Sequence, residues 1–394
     1  MWFSHVFRCR RVSVLAMVLC GAVAVTAHAA QSPLTLEAAV RQGLARAPLL
    51  DARSADIRAA REEAVRAGRL PDPSLTAGLS NYPVTGAEAF NLRADGMTMR
   101  TIGIGQTIPS RAARAADRTL AAAQIDAAES EHVAAAQTVR ERIADAWIEV
   151  WATQQKRALL DELRSESALA VQITQARLRG GEGGATDALA ARTEAATLDN
   201  RLEAVDADFI AAQAGLQRWL GPSVPVLAEA PDFGHLPVTA DRLELHIDQQ
   251  APMQAWQARE QVAQAALAQA RAARHPDWNV SVDYGRRAPG LPDMVTLQVG
   301  VSLPLFTRNR QDRGISAKQA QSDAVQFQHE DARRVQRETL ARTLAAWQGW
   351  SRQIVRDDES LLPLARDRAR TALASYRGGG ALQPWLDARR DEIE

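Results

Sequence analysis

The sequence predicts a mainly α-helical protein with two β-hairpins, built from two similar halves. Three observations carry this prediction: an internal repeat, long stretches without proline, and two pairs of runs in which apolar and polar residues alternate. The composition agrees, because only 5% of the residues are aromatic while helix-forming Ala, Arg and Gln are abundant. The balance of 47 basic and 47 acidic residues argues against a nucleic-acid-binding protein, which usually has a basic surplus.

The internal repeat is defined by five pairs of short landmarks that recur in the same order, 195 to 205 residues apart. The pairs are Ala47-Pro48 with Ala251-Pro252, Pro71-Asp72 with Pro276-Asp277, Ile108-Pro109 with Leu303-Pro304, Ala146-Trp147 with Ala346-Trp347, and Arg179-Gly180-Gly181 with Arg377-Gly378-Gly379. We therefore divide the chain into a first helix–hairpin–helix repeat over 30–221, a linker over 222–240 and a second repeat over 241–394.

Residues 1–29 have the pattern of a secretory signal peptide. Three arginines precede an apolar run over 12–25, and Ala27-His28-Ala29 fits the cleavage rule. An N-terminal membrane anchor would need a longer apolar run. Lipidation of Cys20 is disfavoured by the bulky Leu19 before it.

Removal of this segment changes the charge and the redox chemistry of the chain. The segment holds three arginines and no acid, so 44 basic and 47 acidic residues remain, a net charge of −3. Both cysteines, Cys9 and Cys20, are removed with it, so no disulfide and no thiolate metal site is expected. An exported chain without disulfides suits the periplasm or outer membrane of a Gram-negative bacterium.

The alternating runs predict four strands, at about 74–82, 97–108, 277–286 and 294–303, with an apparent phase slip near Arg100. Each run has roughly the 9–11 residues of an outer-membrane strand. Apolar residues would then face lipid and polar residues a water-filled lumen. The candidate lumen-facing residues are Asn279, Ser281, Asp283, Thr296, Gln298 and Ser302. A half-buried sheet in a soluble protein would give the same alternation.

Four strands are too few to close a membrane barrel, and an open sheet would leave unpaired edges in lipid. The protein would therefore have to oligomerise, and a trimer would supply twelve strands. A helix from about Ser110 to Leu178, roughly 100 Å long at about 1.5 Å per residue, indicates a coiled or tubular assembly.

No enzyme motif is present, and we expect no catalytic residue, no cofactor and no bound metal. The histidines beyond the signal peptide are not spaced as metal ligands; they are His132, His235, His246, His275 and His329.

The sequence resembles the TolC-like outer-membrane efflux factors over essentially the whole chain after the signal peptide. The resemblance rests on the duplicated layout and on local patterns. Leu34-Thr35-Leu36-Glu37-Ala38-Ala39 resembles the start of the secreted family proteins, and Gln106-Thr107-Ile108-Pro109 the end of their first hairpin. The segment 300–306, continuing into Arg308-Asn309-Arg310-Gln311, is most similar to the cobalt–zinc–cadmium (CzcC-type) heavy-metal efflux branch.

The resemblance implies a homotrimeric tube with a twelve-stranded transmembrane β-barrel in outer-membrane lipid and an α-helical barrel in the periplasm. It implies a passive duct that receives substrate, on this branch divalent heavy-metal cations, from a periplasmic adaptor (membrane fusion) protein and an inner-membrane pump of the resistance-nodulation-division type. A periplasmic coiled-coil scaffold or adaptor without its own pore is the alternative. The internal repeat counts against it.

The resemblance places the periplasmic tips of the tube at the glycine turns, over about 179–187 and 377–387. Candidate adaptor contacts are Arg179, Gly181, Gly184, Thr186, Asp187, Arg377, Gly379, Leu386 and Asp387. Glycine would end the incoming helix, and Thr186 or Asp187 would cap the outgoing one. Pro384 departs from the common family pattern, in which an acidic residue is frequent.

The second repeat is shorter than the first after its tip. The first continues as a predicted helix for 28 residues beyond Arg192, whereas the second stops at Glu394, five residues after Arg389. We therefore expect the last helix to be truncated and assembly to be weaker than for a longer chain.

Overall fold

The structure is a computed structural model that describes residues 33–393 except Ala94 and Pro237. The signal peptide predicted over 1–29 and both cysteines lie outside the described residues. The described chain is mainly helical with one small antiparallel sheet, which confirms the predicted fold class at this level.

The first half of the chain consists of two helices, a hairpin and a long helical pair. The elements are α1 (Leu36–Arg46), α2 (Pro48–Arg66), β1 (Ser74–Ser80), β2 (Met99–Ile108), α3 (Arg111–Arg179) and α4 (Ala185–Leu220). Ala47 separates α1 from α2 in an extended conformation (φ −73°, ψ 110°), because a residue before proline disfavours the helical region. The side chain of Ser110 caps α3 by accepting a hydrogen bond from the amide of Ala113 at 3.0 Å.

The second half repeats this order, with its long helix divided into α7 and α8. Its elements are α5 (Ala240–Leu245), α6 (Ala251–Ala272), β3 (Asp277–Arg286), β4 (Met294–Ser302), α7 (Gln311–Arg356), α8 (Leu362–Arg377) and α9 (Gln383–Ile393). Among the described residues, no helix combines the length and the apolar character that a membrane span requires.

Helices α7 and α8 are joined by a π-helical turn over Asp357–Leu361. Pro363 lies at the start of α8 and has no amide hydrogen to donate, and its ring would clash with the carbonyl of Glu359 in a regular α-helix. The wider turn accommodates the proline without ending the helix.

The four strands form one meander in the order β1-β2-β3-β4, with every neighbouring pair antiparallel. Strands β2 and β3 join the two halves, and β1 and β4 form the edges. Arg100 pairs with Leu79 on one side and Arg286 on the other. The phase slip expected near Arg100 is a change in the residue pattern and not in the pairing: the register continues, Met99 lies on the polar face, and Arg100 occupies the last position of the apolar row.

Two tryptophans at equivalent positions of the halves anchor the long helices. Trp147 of α3 is completely buried in a cluster with Ile143 and Leu216, and its indole N–H donates to the carbonyl of Leu34 at 3.0 Å. Trp347 of α7 donates in the same way to the carbonyl of Phe233 at 3.0 Å, but it is only half-buried. The difference follows from α4, which covers α3 along its 36 residues.

Candidate functional site

The sheet has two chemically opposite faces, because successive side chains of a strand point to opposite sides. The pairing register places the apolar strand residues on one face, with the exception of Met99 and Met294. This apolar face is uncovered: Leu75 is 75% exposed, Val295 70% and Leu297 66%. Its large apolar members are Leu75, Leu79, Ile102, Ile104, Ile108, Trp278, Val280, Val282, Tyr284, Val295, Leu297, Val299 and Val301.

The opposite face consists of polar and small residues, apart from Met99 and Met294 at the end nearest the hairpin loops. The register places on it all six residues that the sequence marked as lumen-facing, together with small and hydroxyl residues of the first half. Besides Asn279, Ser281, Asp283, Thr296, Gln298 and Ser302 it carries Ser74, Thr76, Thr101, Gly103, Gly105, Thr107 and Gly300. That this face lines a water-filled lumen stays a prediction.

Asp283 is the acidic residue at the centre of the polar face. Its carboxylate accepts hydrogen bonds from Ser281 at 3.4 Å and from Thr76, two strands away, at 3.5 Å. The side chain of Asp283 passes over β2 at Gly103. A Cβ atom on Gly103 would lie only 1.9 Å from Asp283 Oδ1. Glycine at this position therefore creates the space that lets β3 contact β1.

The helices are tied to the end of the sheet that lies opposite the hairpin loops. The carboxylate of Asp277 accepts a hydrogen bond from the amide of Ser110 at 2.8 Å, which joins β3 to the start of α3. Arg274 and Asp312 form an ion pair at 2.6 Å between the end of α6 and the start of α7. The hydrogen bond from Arg274 lowers the pKa of Asp312 below its ordinary value.

The first glycine turn, over 180–184, joins α3 to α4. Gly181 has φ +78°, a left-handed conformation that ends α3, and the carbonyl of Arg177 accepts from Glu182 at 2.9 Å. Gly184 is the N-cap of α4 and has no side chain to accept a bond. The predicted capping by Thr186 or Asp187 is therefore wrong, since both lie inside the first helical turn.

The second glycine turn, over 378–382, joins α8 to α9 in a similar way. Gly379 has φ +98°, and the amide of Gly380 donates to the carbonyl of Ser375 at 2.9 Å. A Cβ on Gly380 would lie 2.7 Å from the hydroxyl oxygen of Ser375, so the turn is closely packed.

The two glycine turns lie side by side over a shared apolar cluster, which consists of Ala170, Ala191, Tyr376, Leu382 and Leu386. The ring of Tyr376 lies under the guanidinium of Arg177 at 4.9 Å and stacks against Trp385 at 6.5 Å. This cluster fixes the two turns relative to each other.

Arg389 of α9 forms the main polar link between the two turns. Its guanidinium donates to Glu166 of α3 and to Glu392, both at 2.6 Å, and its side chain is 19% exposed. The bond to Glu166, more than any other contact, raises the pKa of Arg389 above its ordinary value. Neighbouring Arg390 lies 3.5 Å from Glu194 of α4. No sequence pattern indicated this network, because Arg389 and Glu166 are 223 residues apart.

The candidate tip residues differ in accessibility. Arg179, Thr186 and Arg377 are exposed, and Gly181, Gly184 and Gly379 present open backbone. Asp187 is half-buried, and Asp387 is half-buried and accepts from Gln383 at 2.9 Å. Leu386 is only 7% exposed and packs inside the shared cluster, so its side chain is not available to a partner in this structure.

Across the described ranges, His, Cys, Asp and Glu side chains form no group of three or more that could hold a metal ion. His329 accepts or donates a hydrogen bond with Glu260 at 2.8 Å and stacks on Trp256, which is a packing arrangement.

The protein combines long helices, a small sheet with one apolar and one polar face, and two glycine turns that pack side by side. Residues 39–222 match the family described as outer membrane efflux protein. The matching segment is nearly half of the chain. No curated protein matches the sequence significantly.

Solved structures with the same fold cover nearly the whole chain. A membrane protein from Pseudomonas aeruginosa is 20% identical with a TM-score of 0.76, over 91% of this chain and 87% of that one. The outer membrane protein VceC from Vibrio cholerae is 19% identical with a TM-score of 0.72, over 91% of both chains. The CmeC outer membrane channel from Campylobacter jejuni is 11% identical with a TM-score of 0.73, over 91% and 80%. The fold that the resemblance implies is thus confirmed, and the family model matches residues 39–222.

Proposed function

We propose that this protein is the outer-membrane duct of a tripartite efflux system, which passes solute from a periplasmic adaptor and an inner-membrane pump to the outside. The observation that carries the proposal is the exposure of the sheet. Its apolar face is uncovered and its two edge strands, β1 and β4, have no partner in the described chain. Both features are unfavourable in water and favourable in a closed barrel surrounded by lipid.

Three copies complete such a barrel in this proposal. In a meander of four strands β1 and β4 run in opposite directions, so β4 of one copy pairs antiparallel with β1 of the next. The polar face then surrounds the lumen, with one Asp283 from each protomer. The glycine turns form the opposite end of the tube, where exposed Arg179, Thr186 and Arg377 contact the adaptor.

The cargo in this proposal is a divalent heavy-metal cation, as the similarity of the 300–311 segment to the metal branch suggests. An acidic residue on the polar face is compatible with passage of cations. Choice of cargo would reside in the pump and the adaptor, because a wide aqueous tube discriminates little.

Two adjacent residues in the middle of β4 test the orientation of the sheet. Leu297 lies on the apolar face and Gln298 on the polar face. In lipid, Leu297→Lys is expected to destabilise the assembled protein by about 2–4 kcal/mol, whereas Gln298→Lys faces water and is tolerated.

The measurement is fractionation of expressing cells followed by gel electrophoresis of the outer-membrane fraction without heating. We expect a trimer-sized band for the parent chain and Gln298→Lys, and loss of that band for Leu297→Lys. A monomer in the soluble periplasmic fraction, unaffected by either change, would refute the duct and favour the scaffold alternative. Zinc, cobalt and cadmium tolerance of cells with and without the gene tests the cargo, and a change in drug tolerance alone would refute the metal assignment.

A further inference from the structure

A cluster of arginines occupies the end of the sheet that is remote from the helices. The loops between β1 and β2 and between β3 and β4 enclose a cavity of about 370 Å³ there. Its lining includes Arg93, Arg100, Arg286 and Arg287, against a single carboxylate, that of Asp293.

Two of these arginines face each other directly. Arg100 and Arg286 are register partners on neighbouring strands, on the apolar face. Directly opposite like charges destabilise a sheet. In the part of the chain that the structure describes, neither Arg100 nor Arg286 takes part in an ion pair.

The one carboxylate of the cavity is already engaged. Asp293 accepts hydrogen bonds from the hydroxyl of Tyr284 and, at 3.3 Å, from the amide of Arg287. Arg287 is held in place by donating from Nε to the carbonyl of Gly96 at 2.7 Å, which connects the two loops. The cavity thus has a fixed wall, and its four arginines outnumber its one carboxylate.

The position of Arg100 and Arg286 in the sheet indicates which kind of anion would bind to them. The row of Leu79, Arg100 and Arg286 follows directly on the apolar row of Ala77, Ile102 and Tyr284. If the apolar face lies in lipid, the two guanidinium groups lie at the depth of the polar head groups, with a tyrosine at the boundary as in the aromatic girdles of membrane barrels. Guanidinium forks match phosphate oxygens in charge and in geometry.

We propose that Arg100 and Arg286, together with the cavity behind them, form a binding site for the phosphate group of an outer-leaflet amphiphile. The phosphate neutralises the like-charged pair, and the acyl chains of the same molecule lie along the apolar face. A volume of about 370 Å³ accommodates a head-group phosphate and not the chains. This inference rests on the proposed function, because it needs the apolar face to be in lipid.

The test is native mass spectrometry of the purified protein in detergent, titrated with a bis-phosphorylated glycolipid of the lipid A type, with its dephosphorylated form and with inorganic phosphate. Two charge-assisted hydrogen bonds are lost in Arg100→Gln/Arg286→Gln, so the affinity for the phosphorylated lipid is expected to fall at least about tenfold. The matched control is Arg58→Gln/Arg140→Gln, which removes two exposed arginines of α2 and α3 and leaves binding unchanged.

The outcomes separate the sources of phosphate. Preference for the phosphorylated lipid over both other ligands, lost only in Arg100→Gln/Arg286→Gln, supports the proposal. Equal affinity of the parent chain for inorganic phosphate overturns the lipid source, and equal binding by both double variants overturns the site. If the chain is not an outer-membrane protein, cell fractionation shows this independently. The titration with inorganic phosphate still measures whether Arg100 and Arg286 bind an anion.

Discussion

Substitution of Gly103 by alanine is a direct test of the close approach of strands on the polar face. The new Cβ would lie 1.9 Å from Asp283 Oδ1, 2.7 Å from the carboxyl carbon and 2.9 Å from Thr76 Oγ1. Real Cβ atoms essentially never approach another heavy atom within 3.0 Å, so the carboxylate must retreat by more than about 1 Å. Its hydrogen bond with Thr76 is lost in that movement.

The expected cost follows from two opposing contributions. Overpacking of this kind typically costs about 1–3 kcal/mol. Replacing glycine by alanine in a strand returns roughly 0.5–1 kcal/mol of backbone conformational entropy. We therefore expect Gly103→Ala to lower the free energy of unfolding by about 1–2 kcal/mol.

Gly300 on β4 is the matched control, because it lies on the same face and a Cβ there would find its nearest neighbour at 3.9 Å. Gly300→Ala is expected to be neutral or slightly stabilising. In an Asp283→Ala background the obstacle is gone, so Gly103→Ala should behave like Gly300→Ala, a coupling of about 1–2 kcal/mol. Urea unfolding in detergent, followed by tryptophan fluorescence with Trp278 on β3 as one reporter, measures all four variants. Equal effects of Gly103→Ala and Gly300→Ala in the parent chain would show that the carboxylate does not cross β2 at Gly103.

Three further changes probe the helical part and its junction with the sheet. Trp147→Ala should lower the free energy of unfolding in urea by about 3–5 kcal/mol, and Trp347→Ala should lower it clearly less because Trp347 is only half-buried. Equal losses would contradict the difference in burial. Arg389→Gln should increase amide hydrogen exchange in α9 and leave α1 unchanged, because the anchor to α3 is lost; unaltered exchange in α9 would show that the ion pairs add nothing. The hydrogen bond from Arg274 lowers the pKa of Asp312 in the folded chain. The stabilising contribution of Asp312 is therefore present above the ordinary aspartate pKa of about 4 and disappears as the pH falls through the lower folded value. Asp312→Asn should remove this part of the acid sensitivity, and an unchanged pH profile of unfolding would contradict the pairing with Arg274.

The strands could be read from the sequence because their alternation has a period of two and needs no knowledge of distant residues. All four observed strands lie within the runs marked at 74–82, 97–108, 277–286 and 294–303. The long helix could also be predicted from the sequence, because there is no proline between Ser110 and Leu220.

Contacts between distant segments were not accessible in this way. The hydrogen bonds from Arg389 to Glu166 and from Thr76 to Asp283 join residues more than 200 positions apart, and no local pattern marks either partner. Leu386 was read as a contact residue because it sits in a turn motif, yet its apolar side chain is better satisfied by the cluster beneath that turn. The alternation shows that the residue pattern changes phase near Arg100, but it does not show that the strand pairing continues through Arg100.

In the proposed barrel, the meander order restricts how wide a passage the copies of this chain can enclose. Copies can add strands only four at a time, because the free edges are β1 and β4 of each copy. Two copies would give a cylinder of about eight strands, whose interior is filled by its own side chains. Three copies are therefore the smallest ring that leaves an open bore. A fourth copy would add four more strands. The diameter of the bore can therefore change only in steps of four strands and never by a single strand.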